Sequence, residues 1–384
     1  MRHHQHNENY NFVVSPESFN KYSEKKFLAY CLGATMYMPG TKDFTRKILD
    51  RDMPGLTSIV LDFEDACRAE DVEDAEANVL HLLSEVSAEL DKDAISYDSV
   101  PLVFCRVRSP EQFERFSKQL DGRHVRALAG INFPKFDTTN GNDYCRILRE
   151  LNDRCGEIVY GMPILESERI AFKESRIDEL LGIRRIVDEN SDLILHIRVG
   201  GTDFSGCFGV RRGMDYTIYD IMTVRACLMD IMNVFGRNND YVVSGPVWEY
   251  FRASGRMKFE DIPAVNVDNL LVKRTPIFNN EVDGLLREVI LDKANGFVGK
   301  TVIHPTHVKF VNALEAVTRE EYEDAAQILE ASSGVLKSAE SNKMNEIGPH
   351  HNWAEKVLYR ARAYGVVENE SEYLKLFFDG EGSC

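Results

Sequence analysis

Ser58-Ile-Val-Leu-Asp-Phe-Glu-Asp65 is the stretch on which the reading of this chain turns. A β-branched apolar run stops abruptly at three carboxylates, Asp62, Glu64 and Asp65. Unbroken apolar character marks a strand buried on both faces, as in a parallel sheet. Acids at its carboxyl end then lie where α/β folds conduct their chemistry. The pattern recurs. Ile158-Val-Tyr-Gly-Met-Pro-Ile-Leu runs to Glu166, and Leu193-Ile-Leu-His-Ile-Arg-Val-Gly-Gly-Thr runs to Asp203. Carboxylates delivered to one rim by separate buried strands predict a bound cation and an enzyme.

Working outward, short apolar runs at 34–38, 58–62, 102–107, 130–133, 158–163, 193–199, 241–244 and 301–303 are separated by helix-length patterns. One of these, 70–90, sets Ala75, Val79, Leu80 and Leu83 on one face. Eight strand–helix units in series is the count of a closed (β/α)8 barrel, the TIM-type α/β fold. An open doubly wound sheet is the rival, but its Gly-x-Gly-x-x-Gly or phosphate-loop signature is missing. The barrel is assigned to 27–335, preceded by a polar arm, 1–26, in which His3, His4 and His6 belong to a disordered start. A tail, 336–384, follows as lid or oligomerisation element. Thr318-Arg-Glu-Glu321 reads as a capping box, 337–345 as a polar linker and 353–364 as a further helix. Helices beyond a finished barrel predict an oligomer.

Composition narrows the function. With 384 residues, 43% of them hydrophobic, the chain can bury a large core. Its 46 Lys+Arg against 62 Asp+Glu give a net charge of −16, with no lysine-rich tract. Nucleic-acid binding needs clustered cations, so that class is excluded. Eight scattered cysteines form no Cys-x-x-Cys pair, against a zinc site or a disulfide framework and in favour of a reducing cytoplasm. No apolar stretch approaches the ~20 residues that span a bilayer.

Glu166 and Asp203 are the candidate metal ligands, since hard oxygens from two strand ends suit Mg²⁺, which keeps several waters. Gly200 and Gly201 would let backbone and ligand approach closely there, with Gly201 and Thr202 as substrate contacts. Asp62 and Glu64 alternate along an extended strand and so share a side; they order metal waters or act as a base, while Asp65 serves the next helix. Arg106 and Arg108 share a side of an apolar strand. A buried guanidinium needs an anion, either a substrate carboxylate or enolate, or an ion pair with Asp62 or Glu64. Lys135, in Phe133-Pro-Lys, is given an electrostatic role as a substrate contact. Lys300 precedes its strand and falls at the bottom, whereas His304 emerges at the top as an acid/base group or a plain hydrogen-bonded histidine. Tyr37-Met-Pro-Gly40 is a tight turn at the first strand end.

In order, Met38-Pro-Gly, Leu61-Asp-Phe-Glu-Asp-Ala66, Arg106-Val, Phe133-Pro-Lys135, Pro163 to Glu166-Ser, Gly201-Thr-Asp203 and Gly299-Lys to Ile303-His-Pro305 resemble the citrate lyase β-subunit-like branch of the HpcH/HpaI aldolase superfamily. The arm and long tail resemble its divergent C–C bond lyase group, associated with bacterial stress and tellurite-resistance operons. The resemblance implies a (β/α)8 barrel, a trimer or hexamer, and Mg²⁺-dependent making or breaking of C–C bonds beside a carboxylate. By it Glu166 and Asp203 hold the metal, Arg106 faces the substrate carbonyl or carboxylate, and Asp62 and Glu64 lie beside the metal waters. Arg108 stands where relatives carry asparagine, Asp137 where they carry glutamate, and Asn342-Lys-Met-Asn-Glu346 replaces their lid motif, leaving Glu346 as the lid acid for a neighbouring subunit. The expected function is an aldol- or Claisen-type lyase acting on a small carboxylate or 2-oxo acid through a metal-stabilised enolate, with thioester use left open. The alternative is a non-catalytic barrel subunit of a bacterial stress-response complex.

Overall fold

In the computed structural model, parallel strands β1 (Ala34–Pro39), β2 (Ser58–Asp62), β3 (Leu102–Arg106), β4 (Gly130–Phe133), β5 (Tyr160–Leu165), β6 (Arg198–Val199) and β7 (Lys300–Val302) form one sheet ordered β6-β5-β4-β3-β2-β1-β7. The structure describes residues 1–7, 9–251, 278–331, 333–338 and 343–378; Asn342 and Cys384 lie outside them. The gap between β6 and β7 is bridged by single parallel pairings, Ile197 with Val243 and Gly245 with Lys300. Backbone N–H groups of Ser244 and Gly245 reach Ile197 and Gly299 carbonyls at 3.0 and 2.9 Å. The eighth position is thus filled by a segment too short for a regular ladder, and the ring closes as a TIM barrel.

Helices cover the outside. Val72–Asp91, Gly141–Cys155, Lys173–Glu189, Met222–Phe235 and Asn280–Ala294 each turn an apolar face to the sheet. Phe113, Phe133, Phe136 and Tyr144 stack between β4 and its helices, with Phe133 and Tyr144 centroids 4.7 Å apart. Outward residues of every strand therefore sit in a dry layer, which explains the unbroken apolar runs of β2 and β3. Register then sets the rim. Asp62 pairs with Arg106 and Arg106 with Asn132, so three polar groups of β2, β3 and β4 occur at one level.

At the other end of the barrel the expectation for the arm is corrected. The arm is packed, not disordered. The Met1 ammonium donates to the Phe19 carbonyl at 2.6 Å, and buried His3 stacks on Tyr364 at 4.3 Å and meets the Cys31 carbonyl at 2.9 Å. Burial holds the His3 imidazole down at about 3. The tail also lies against its own chain. The helix Ile347–Tyr364 leads into β11 (Val366–Val367), which pairs with β8 (Val317–Thr318), and Val14 bridges to Val366. Tyr364 Oη donates to the Tyr30 carbonyl at 2.7 Å, and Tyr359 stacks on Tyr30 at 5.0 Å. Where the sequence predicts a polar linker, β9 (Val335–Lys337) and β10 (Met344–Glu346) form an antiparallel pair. Among the described residues no helix is long and apolar enough to cross a membrane.

Candidate active site

At the carboxyl end of β2 the chain turns at once, and the turn is built on Asp62. Its Oδ1 accepts from the Glu64 N–H and its Oδ2 from the Ala66 N–H, both at 2.9 Å. Those same oxygens accept Arg106 Nε and Nη2 at 2.6 Å, a two-pronged contact. Arg106 Nη1 then reaches Glu64 Oε2 at 2.8 Å and Asp65 Oδ2 at 3.0 Å. Burial works against the guanidinium charge. The hydrogen bonds and field of Asp62, followed by Tyr37 and Glu64, override it and raise the Arg106 pKa above its ordinary value. Arg106 is inside the barrel mouth, its guanidinium 5.2 Å from the Tyr37 ring centre. The two readings of this arginine are therefore compatible: it faces the site and is ion-paired with Asp62 and Glu64.

Arg108 has a different task. Its Nη1 donates to the carbonyls of Phe63, Glu64 and Cys67 at 2.8, 3.1 and 3.0 Å, which clamps the loop carrying the acids. Lys135 ends β4 in a left-handed conformation, φ 47°. Such geometry in a non-glycine residue stores strain and clusters at functional sites. The turn aims its N–H at Glu166 Oε1, 3.0 Å away, and its Nζ at Glu64 Oε1. Burial opposes the Lys135 charge, but Glu64, Glu166 and Asp203 raise its pKa. Burial also raises the Glu64 carboxyl, more than Arg106 and Lys135 lower it.

Glu166 follows β5 and is only 5% exposed. Burial, then the negative field of Asp203, pushes its pKa well above the carboxylate range. Asp203 lies in the first turn of the helix Gly201–Cys207, after β6. A Cβ at Gly200 would overlap Glu166 Oε2, so this glycine is what lets the carboxyl tuck against the β6 end. Gly201 is buried at the start of that helix and Thr202 is exposed beside it. A buried and a half-buried carboxylate that repel each other fit a divalent cation such as Mg²⁺, whose charge would remove the repulsion. Among the described residues no group of three or more His, Cys, Asp or Glu is arranged to hold a metal. The fit therefore rests on two carboxylates, with the remaining positions left to water and substrate.

Other candidates fall elsewhere. His304 caps the short turn Pro305–His307, bonded to Thr306 Oγ1 at 2.7 Å and stacked on Phe251 at 4.3 Å. Lys300 points outward from β7 into a buried network, to Glu288 Oε1 at 2.9 Å and Asp292 Oδ2 at 2.7 Å. Glu346 ends β10, where its N–H donates to His350 Nδ1 at 3.1 Å. Sequence reasoning passed over Asn132, whose Nδ2 donates to Tyr37 Oη at 2.7 Å, and over His196 and Arg198. The alternation in Leu195-His-Ile-Arg198 was the available signal, since it sets both polar residues on one side of an apolar strand.

A C–C bond lyase family of the TIM-barrel fold matches residues 26–366. No curated protein is significantly similar. Among solved structures, the protein CitE from Mycobacterium tuberculosis in complex with magnesium, acetoacetate and coenzyme A is 16% identical, with TM-score 0.50 over 86% of this chain and 97% of that one. The citrate lyase β subunit from the same organism, complexed with oxaloacetate and magnesium, is 15% identical, with TM-score 0.43 over 74% and 96%. Malate synthase of Haloferax volcanii is 14% identical, with TM-score 0.46 over 72% of each chain. At these identities the likeness shows the fold.

Proposed function

This chain belongs to the C–C bond lyase family of the TIM-barrel fold, and on that footing we propose that it is a Mg²⁺-dependent lyase of the aldol or Claisen type acting on a small carboxylate or 2-oxo acid. The observation that carries the reading is the Glu166–Asp203 pair at neighbouring strand ends, where burial and mutual repulsion hold the Glu166 carboxyl high. Magnesium in the Mycobacterium tuberculosis complexes makes that ion the first to test. When bound, it would supply Lewis acidity to a substrate carbonyl.

The chain's own residues divide the remaining work. Asp62, with its oxygens engaged, orients Arg106. Arg106 keeps positive charge at the rim, where negative charge develops on a substrate oxygen as the C–C bond breaks. Lys135 ties the Glu64 loop to Glu166 through its N–H and donates from Nζ to Glu64, and its ammonium is the proposed acid that protonates a product carbon. Gly201 and Thr202 are proposed as substrate contacts beside Asp203. The same coenzyme A complex motivates a thioester among the compounds assayed.

The test is calorimetric titration of Mg²⁺ into wild type, Glu166→Gln and Asp203→Asn, beside lyase assays on 2-oxo acids and thioesters. Wild type should bind Mg²⁺, and each variant should lose at least about tenfold in affinity through the lost charge. Wild type that binds no Mg²⁺ and cleaves none of the panel would remove the proposal.

A further inference from the structure

TIM-barrel interiors are ordinarily filled by branched apolar side chains. This one departs from that rule below its rim. Arg198, 1% exposed on β6, extends across the interior to the hydroxyls of Thr301 at 2.6 Å and Thr35 at 3.4 Å. His196 lies two residues earlier on the same side. Ser244 also points inward, because the Cα of its neighbour Gly245 faces Asp292 of an outer helix. Among the described residues, Arg198 Nε, both His196 ring nitrogens, Ser244 Oγ and Asn132 Oδ1 are buried without a hydrogen-bond partner. Unmade bonds of this kind are rare in a packed interior, and each points to a missing polar occupant.

Charge sharpens the case. Arg106 is matched by Asp62, Glu64 and Asp65. Arg198 has no carboxylate against it among the described residues; it meets the hydroxyls of Thr35, Thr301 and Tyr37, with the Tyr37 ring centre 5.7 Å from its guanidinium. A buried charge without a counter-charge is costly, so this site selects for an anion. Tyr37, whose ring contacts both arginines, stands between the Arg106 rim and the Arg198 floor. We propose that Arg198 is the anion receptor of the barrel, taking a carboxylate of the substrate in its guanidinium fork, with His196, Ser244 and Asn132 completing the pocket. Calling that ligand the substrate rests on the lyase reading; the binding of a carboxylate does not. The substrate class narrows to acids that insert a carboxylate end-first, namely 2-oxo acids and short dicarboxylates.

The experiment titrates the full-length protein in EDTA with pyruvate and malonate, and with neutral pyruvamide and malonamide, reading melting temperature and binding heat. The acids should raise the melting temperature saturably and the amides should not. Arg198→Met should weaken acid binding at least tenfold while still binding Mg²⁺ like wild type. Should Arg198→Met not fold, Arg198→Lys takes its place, and loss of the fork should still weaken the acids about tenfold. Acids and amides acting alike on wild type, or a folded Arg198 variant binding the acids as tightly as wild type, would overturn the proposal. Carboxylate binding that depends on Arg198 in a protein that neither binds Mg²⁺ nor cleaves the acids would leave the receptor standing and discard the lyase.

Discussion

Arg106 and Asp62 are each other's reason for being buried. Removing one leaves the other charged in a dry rim, and breaking a buried pair costs ~3–5 kcal/mol. Arg106→Ala should therefore lower stability by that order as well as abolish turnover, which denaturant titration and activity assays measure together. Arg106→Lys should recover part of the stability and little of the activity, because one ammonium cannot bridge both Asp62 oxygens and Glu64. Gly200 tests geometry in place of charge. Gly200→Ala puts a methyl on Glu166 Oε2, and Mg²⁺ affinity should fall with the fold retained, at an overpacking cost of ~1–3 kcal/mol. Wild-type Mg²⁺ affinity in that variant would mean that Glu166 is no ligand.

At the scale of elements, loops and strand ends are fastened by charge. Arg108 clamps the loop after β2, and the Lys135 turn ties β4 to β5. The helix Asn280–Ala294 is joined to β7 through Lys300, Glu288 and Asp292, with Tyr219 Oη donating to Asp292 Oδ1 at 2.6 Å. Burial raises Asp292 to about 6 despite Lys300. Its folded pKa thus exceeds the unfolded value of ~3.9, so the fold prefers the protonated form. That contribution is fully present below pH ~4 and is lost as pH rises through about 6. The stability of wild type relative to Asp292→Asn should therefore fall between pH 4 and 7, as parallel denaturant melts will show. A difference that is flat with pH would contradict the raised pKa.

Over the whole molecule, arm and tail close one end of the barrel while the carboxylates hold the other. The helix Ile347–Tyr364 covers Tyr30 and the helix Arg319–Glu330, so truncation after Gly334 exposes apolar surface on its own chain. The expected result is a large drop in melting temperature; a truncated protein as stable as the full chain would argue against this packing. Assembly remains a separate proposal. Met222 and Met229 are 74% and 63% exposed, and Ile177 lies on the helix joined to theirs by the Arg176–Asp230 ion pair at 3.1 Å. We propose that this face joins copies of the chain, so Ile177→Asp with Met229→Asp should reduce the size seen by sedimentation. A size unchanged by both substitutions would reject it.

By itself the sequence determined the barrel and most of the rim. Unbroken apolar runs and helix-length spacing are local properties, and they placed Asp62, Arg106, Lys135, Glu166 and Asp203 at or within four residues of a strand end. The Thr318 capping box was equally local, with its side chain bonding the Glu321 N–H at 3.2 Å. Tertiary structure decided what those groups touch. Only strand register brought Asp62 beside Arg106, and only barrel closure set Arg198 against Thr35, 163 positions away. The buried arm and the folded-back tail were illegible for a related reason. Short polar or aromatic segments have no preferred surface until the barrel exists to offer one.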